Sequence, residues 1–364
     1  MTCHLRASVG LFATRRALDT GGKLRQSDMM AKPTINDVAR LAGVSKKTVS
    51  RVINNSPLLS QATREKVEKV ISEIGYVPDP QARALALRRN FLIALVYDGS
   101  ADFLLPAAQQ GVLEAIAGTE YALIVHPVDQ NAGEVETEFR RFLEFQRPSG
   151  VVLLPPLSER AEIIGLCREL GCNHVRLGAS PTGDEKEVPA AGDRAATAKL
   201  VADLIAQGHE RIGLIAGPED LYSARERELG YLDAIADHDL DRGPSLIASG
   251  DNSFESGLAA GRLLLEVSPR PTAIIACSDE MAAGVLHAAG ELGLAVPDKL
   301  SVVGYGDTAI AVRLWPPLTT VRVPFAEMAK AAAGSLVRPD AGGEAQSDFY
   351  PVIVERSSTA RAPG

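Results

Sequence analysis

The chain has 364 residues, more than a single core usually takes, with 46% hydrophobic and 5% aromatic residues and a formal net charge of -8. That balance excludes a disordered chain, and no apolar run approaches the ~20 residues that a membrane-spanning helix needs. Charge is uneven: residues 34–90 hold ten Lys/Arg against five Asp/Glu, residues 1–33 hold six against two, and the rest carries a net of -17.

The opening segment, "MTCHLRASVGLFATRRALDTGGKLRQSDMM", is poor in acids, as targeting peptides are, but its apolar runs are too short for a secretory core. Residues 1–32 are read as a disordered extension or as a start placed too far upstream, with Met29 and Met30 just ahead of the organised sequence. Cys3, Cys167, Cys172 and Cys277 form no C-x-x-C pair and the six histidines have no metal-ligand spacing, so neither a metal nor a cofactor is expected. The cysteines read as small buried hydrophobes in a reducing cytoplasm.

In "TINDVARLAGVSKKTVSRVINN", Ile35, Val38, Ala39 and Ala42 recur at helical spacing behind Thr34, a fitting N-cap. Gly43 permits a left-handed turn, Val44 can plug the angle, and Ser45 caps a second helix whose Val49, Val52 and Ile53 face inward. Lys46, Lys47, Ser50 and Arg51 share the opposite face. Ser60 caps a third helix, "QATREKVEKVISEIGY", with Val67, Val70, Ile71 and Ile74 on one side. Helix, glycine turn and helix is the layout that sets a second helix into the DNA major groove. Lys46, Lys47 and Arg51 suit guanine edges, and Thr48, Ser50 and Asn54 suit phosphates. Beyond Pro78 and Pro80, the stretch Gln81 to Leu87 is too short for a stable isolated helix, so it reads as a linker that orders on binding.

The run from Thr34 to Arg89, with "DVARLAGVSKKTVSRVIN" at its centre, closely resembles the headpiece and hinge of the lactose-repressor (LacI/GalR) family of bacterial transcription regulators. The resemblance places Lys46, Lys47 and Arg51 at bases and Thr34, Ser45, Thr48, Ser50 and Asn54 at phosphates. It places Leu85 as a wedge in the minor groove at the centre of a palindromic operator; unstacking a base step costs a few kcal/mol, offset by added contact with kinked DNA. Ala82 and Ala86 are small enough for two hinge helices to meet, and Arg83 can reach a groove edge or phosphate. Packing within a helix is the other reading of Leu85.

From Phe91 onward short apolar runs alternate with amphipathic helices. "FLIALVY", "YALIVHP", "GVVLLPP", "HVRLGA", "RIGLIAG", "TAIIACS" and "LSVVGYG" are candidate strands. The alternation implies an α/β body with parallel sheets, large enough for two lobes with a cleft at the carboxyl ends of their strands. "SARERELGYLDAI", "SDEMAAGVLHAAGELGLAVPDKLSVVGYGD" and "PPLTTVRVPFAEMA" resemble the regulatory part of the same family, which has a periplasmic-binding-protein-like fold. The expected organisation is an all-α helix-turn-helix headpiece at 33–78, a hinge at 79–90 and a two-lobed body at 91–345. One lobe takes 91–190 plus 324–345, the other 191–323 plus 346–364.

Within the cleft, the resemblance makes Arg227 a ligand-clamping arginine, against the alternative of a surface or lobe-bracing one. Gly306 stands where sugar-binding members carry aspartate, with Asp307 retained beside it. Ser278 replaces an asparagine, Asn252 an aromatic and Val323 a glutamine. Asp98 and Phe103 are candidate contacts from the other lobe, while Asp279 is expected to cap the helix starting at Glu280. No Walker loop, G-x-S-x-G elbow, H-E-x-x-H or G-x-G-x-x-G is present, so the chain reads as a regulator and not as an enzyme. A homodimer is expected, because one headpiece makes too few base contacts and the tail "VERSSTARAPG" lacks the heptads of a coiled-coil tetramer. A carbohydrate is the leading effector. A regulator with no ligand or a non-sugar one, and a sugar-handling enzyme fused to a DNA-binding head, are the alternatives.

Overall fold

The computed structural model describes residues 33–53, 58–77, 90–99, 104–129, 135–178, 180, 187–188, 192–240, 243–338 and 349–363. The N-terminal extension, the hinge residues Ala82, Arg83, Leu85 and Ala86, and also Asn54 and Phe103, lie outside the described residues. The chain divides into one unit ending at Arg83 and another beginning at Ala84.

The first unit is three helices, α1 (Ile35–Ala42), α2 (Lys46–Ile53) and α3 (Gln61–Ile74). Each begins as its sequence dictates. The Asp37 carboxylate accepts the backbone N–H of Thr34 at 3.1 Å and its hydroxyl at 2.8 Å. Ser45 Oγ accepts the Thr48 N–H at 3.1 Å, and Ser60 Oγ that of Thr63 at 3.3 Å. Gly43 ends α1 with φ +60°, which only glycine adopts without strain, and the Val44 N–H closes on the Ala39 carbonyl at 3.0 Å. Val38, Ala42, Val49 and Val67 are fully buried, and Val44 packs against them.

The second unit holds two sheets. In the first, order β2-β1-β3-β4-β5, all strands run parallel: β1 (Leu92–Asp98), β2 (Ala122–Val128), β3 (Gly150–Leu153), β4 (His174–Leu177) and β5 (Glu187–Val188). Strand period two sends alternate residues of β1 to opposite layers. Ile93 and Leu95 pack with α4 (Leu105–Ile116) and α11 (Phe325–Val337), whereas Ala94 and Val96 pack toward α5 (Val135–Gln146) and α6 (Ala161–Glu169). Burying each such Ile or Leu contributes about 1.5–3 kcal/mol relative to exposure. Helices α4 and α11 touch backbone to backbone: a Cβ on Gly111 would stand 2.0 Å from the Ala326 carbonyl oxygen.

The second sheet has the order β11-β10-β9-β8-β6-β7. Its strands β6 (Ile212–Ala216), β7 (Ile247–Ser249), β8 (Ala273–Ala276), β9 (Ser301–Gly306) and β10 (Thr319–Arg322) are parallel, and β11 (Val352–Val354) pairs antiparallel with β10. The flanking helices are α7 (Asp193–Ala206), α8 (Tyr222–Asp237), α9 (Phe254–Glu266) and α10 (Asp279–Glu291). The chain thus leaves the first lobe after Val188, returns to it with α11 and goes back with β11.

The C-terminal tail is bound into the second lobe. The Val302 N–H reaches the Ser358 carbonyl at 2.9 Å, and buried His209 donates from Nε2 to the Ala360 carbonyl at 3.0 Å. A carbonyl can only accept, so in the neutral ring Nδ1 takes the Thr272 hydroxyl proton, at 2.9 Å. Burial lowers the His209 pKa, opposed by the Ala360 bond, and burial acts the same way on His126 and His174. Above the ordinary histidine value of about 6.5 the folded and unfolded imidazoles are both neutral; below it the unfolded chain binds more protons, so stability falls with pH. We expect the melting temperature to drop between pH 7.5 and 5.5. His209→Gln should lower it at pH 7.5 and flatten the profile, and an unchanged profile would remove His209 from this account.

Candidate functional site

The first unit presents Lys46, Lys47 and Arg51 exposed on α2, with Lys47 and Arg51 opposite its buried Val49 and Val52. Lys47 and Arg51 stand one turn apart on the same face. Two lysines occupy the first turn and no acid does, although that end of a helix favours anions. A helix that breaks this local rule is suited to receive an anion from outside. The hydroxyls of Ser45 and Thr48 share a hydrogen bond of 2.9 Å, Thr34 Oγ1 donates to Asp37, and Ser50 is half-buried.

In the second unit a cavity of 740 Å³ opens at the carboxyl ends of both sheets. The wall from the first lobe is mostly apolar, with Leu104, Pro106, Pro155, Pro156, Phe325 and Met328, and it adds Gln110 and Glu327. The wall from the second lobe carries Arg227, Asp251, Asn252, Glu280, Tyr305 and Arg313.

Arg227 is held there by two hydrogen bonds and a ring contact. Nε donates to Asp193 Oδ1 at 2.9 Å, Nη1 donates to the Cys277 carbonyl at 2.9 Å, and the guanidinium lies 3.8 Å from the Tyr305 ring centroid. Burial opposes its charge, but the Asp193 carboxylate more than compensates and raises the pKa above the usual arginine range. Burial and the same carboxylate push the Tyr305 phenol well above its ordinary value. Burial pushes the Cys277 thiol up to about 11, so this cysteine serves through its carbonyl. Arg227 therefore braces the second lobe and lines the cavity at once.

The other sequence candidates are dispersed. Asn252 lines the cavity, with φ +70°. Ser278 is buried outside the wall, where its Oγ accepts the Met281 N–H at 3.1 Å as the N-cap of α10. The cap expected of Asp279 thus belongs to Ser278, one residue earlier. Asp279 instead lies buried within α10 and accepts from the Thr308 N–H at 2.6 Å and the Thr320 hydroxyl at 2.5 Å. Asp307 reaches the cavity, but Arg322 Nε takes one of its oxygens at 2.6 Å and Arg356 Nη2 the other at 2.5 Å. Asp98 is buried at the end of β1, outside the cavity wall. Gly306, at φ +126°, and Val323 line the cavity without a polar side chain. Sequence reasoning missed Asp193, Tyr305 and the proline pair. Asp193 carries no local signal beyond an acid opening a helix, since its partner is 34 residues away.

Residues 34–79 match the bacterial regulatory proteins of the lacI family, and residues 201–359 match a periplasmic binding protein-like domain. The chain belongs to the lacI family of bacterial transcriptional regulators. It is 35% identical over 318 residues to the HTH-type transcriptional regulator CelR of Thermobifida fusca, covering 84% of this chain and 91% of that one. To the regulator GalR of Escherichia coli it is 31% identical over 330 residues, covering 90% and 96%. Among solved structures, the lac repressor dimer bound to operator and the anti-inducer ONPF matches with a TM-score of 0.74 and 29% identity, over 91% of this chain and all of that one. A CelR–cellobiose complex matches with a TM-score of 0.65 and 30% identity, over 90% and 100%. These relatives are regulators and not enzymes, and so is this chain.

Removing one partner of a buried ion pair strands the other charge, at a cost of roughly 3–5 kcal/mol. Asp193→Ala should therefore destabilise the protein by about 3 kcal/mol in urea unfolding, and Arg227→Met in the same chain should recover part of that loss. Strict additivity of the two would mean that the pair is not coupled.

Proposed function

We propose that the chain is a cytoplasmic repressor that binds a palindromic operator as a homodimer and releases or retains it according to a carbohydrate held in the cleft. The observation that carries this reading is one sequence holding both a cation-bearing helix face and a cavity walled by a fixed arginine. Lys46, Lys47 and Arg51 read bases. Thr34, Ser45, Thr48, Ser50 and Asn54 hold phosphates, and Leu85, flanked by Ala82, Arg83 and Ala86, wedges the minor groove. The similar solved structures, a lac repressor dimer bound to operator and a CelR–cellobiose complex, support the same reading.

Cavity chemistry narrows the effector. Two of the five Arg227 donors are engaged by Asp193 and Cys277, and Asn252, Asp251 and Glu280 add acceptors nearby. A sugar offers hydroxyls to that wall and its C–H face to the prolines and Phe325. Among the described residues the wall has six carboxylates and three arginines, which favours a neutral sugar over a sugar acid or phosphate. Gly306 and Val323, which withhold polar side chains, favour a second reading: a neutral ligand with a larger apolar part.

Selection from random DNA followed by footprinting should yield an inverted repeat. Lys46→Ala, Lys47→Ala or Arg51→Ala should each weaken binding roughly tenfold or more, as the loss of about 1–3 kcal/mol of base contact requires. In a thermal-shift panel of neutral sugars, sugar acids and sugar phosphates, a neutral sugar should raise the melting temperature and Arg227→Met should abolish the rise. Specific DNA binding with no ligand in the panel would support the ligand-free alternative, and failure to select any sequence would end the operator reading.

A further inference from the structure

We propose that Glu159 is a latch across the cleft, holding the first lobe onto the start of the helix that carries Arg227. Glu159 closes the single turn Leu157–Glu159 that follows β3. Its two carboxylate oxygens lie 3.1 and 3.3 Å from the backbone nitrogen of Tyr222, the first residue of α8 in the other lobe.

The reason for this contact is the unfinished end of α8. A helix leaves its first N–H groups without intrahelical partners and gathers positive potential there. Leu221 holds the N-cap position and makes no side-chain cap. The cap comes instead from the opposite lobe, so this end of α8 is satisfied by Glu159 only while the lobes are together.

The first lobe presents the carboxylate from a fixed base. Arg176, almost fully buried on β4, donates Nε to the Ser158 carbonyl at 2.7 Å and Nη1 to Glu187 at 3.2 Å. Burial raises the Glu159 pKa, while the Tyr222 N–H, Arg225 and Arg176 oppose that rise. Pro155 and Pro156 before the turn, and Leu221 and Ser223 beside the latch, all line the cavity, and Arg227 follows on the same helix. Opening the cleft therefore uncaps the helix that holds the ligand arginine. As regulation of the effector site, the latch rests on the reading of the cleft given above; as a bond between lobes it is measurable without any ligand.

The test compares ligand-free full-length wild type with Glu159→Ala, Glu159→Gln and the exposed control Glu162→Ala, by amide hydrogen exchange and small-angle X-ray scattering. Glu159→Ala should speed exchange at the first-turn amides of α8 at least tenfold and expand the scattering profile. Glu159→Gln, which keeps an acceptor oxygen, should lie between it and wild type, and Glu162→Ala should match wild type. Unchanged exchange would overturn the proposal. So would faster exchange with unchanged scattering, since Glu159 would then be a cap and not a latch. If Glu159→Ala fails to fold, the same two readouts on Glu159→Gln decide. Neither readout depends on whether the cleft accepts a sugar, so failure of the effector reading would be seen separately.

Discussion

The Asp307 carboxylate, held by Arg322 on one oxygen and Arg356 on the other, is the interaction on which the cleft depends. Asp307 follows β9, Arg322 ends β10 where the chain passes into the first lobe, and Arg356 follows β11 where it has returned. One buried carboxylate thus ties two of the passages between lobes to the sheet they leave and rejoin. Burial acts to raise its pKa, but the two guanidiniums outweigh that and lower it.

Helix α8 links this hinge-side architecture to ligand chemistry. Its second turn carries Arg227, bonded to Asp193 at the start of α7 and to the backbone after β8, so the arginine is oriented before any ligand arrives. Its first N–H is capped from the opposite lobe. A ligand bridging the two walls would bind the closed arrangement better than the open one, and that difference is the whole of the free energy available to bias the DNA-binding unit. The acidic body and basic headpiece divide the remaining work, since charge of one sign on the body discourages contact with DNA away from the basic headpiece.

Legibility in the sequence followed the range of the interactions. The headpiece was readable because its caps, its Gly43 turn and the period of Val38, Ala42, Val49 and Val52 are local. Seven strands announced themselves as apolar runs. By contrast, β5 and β7 are only two or three residues long, β10 is "TTVR", and β11 is an edge strand with an exposed Val352. Asp279 looked like a cap because an acid precedes Glu280, and only the fold brings Thr308 and Thr320 to it from 29 and 41 residues away. Arg227 was legible by resemblance, but its partner Asp193 was not, and Glu159 meets Tyr222 across 63 residues. Asp307 sat at the right place in the motif, yet no local pattern tells that Arg356, 49 residues on, claims one of its oxygens.

The central claim is that one ligand in the cleft and one operator on the headpiece bias the same equilibrium. Calorimetric titration of the effector into free protein and into operator-bound protein tests it most directly. Linkage requires two different Kd values, whose ratio equals the change in operator affinity that the effector produces. Identical Kd values in the two states would contradict the account.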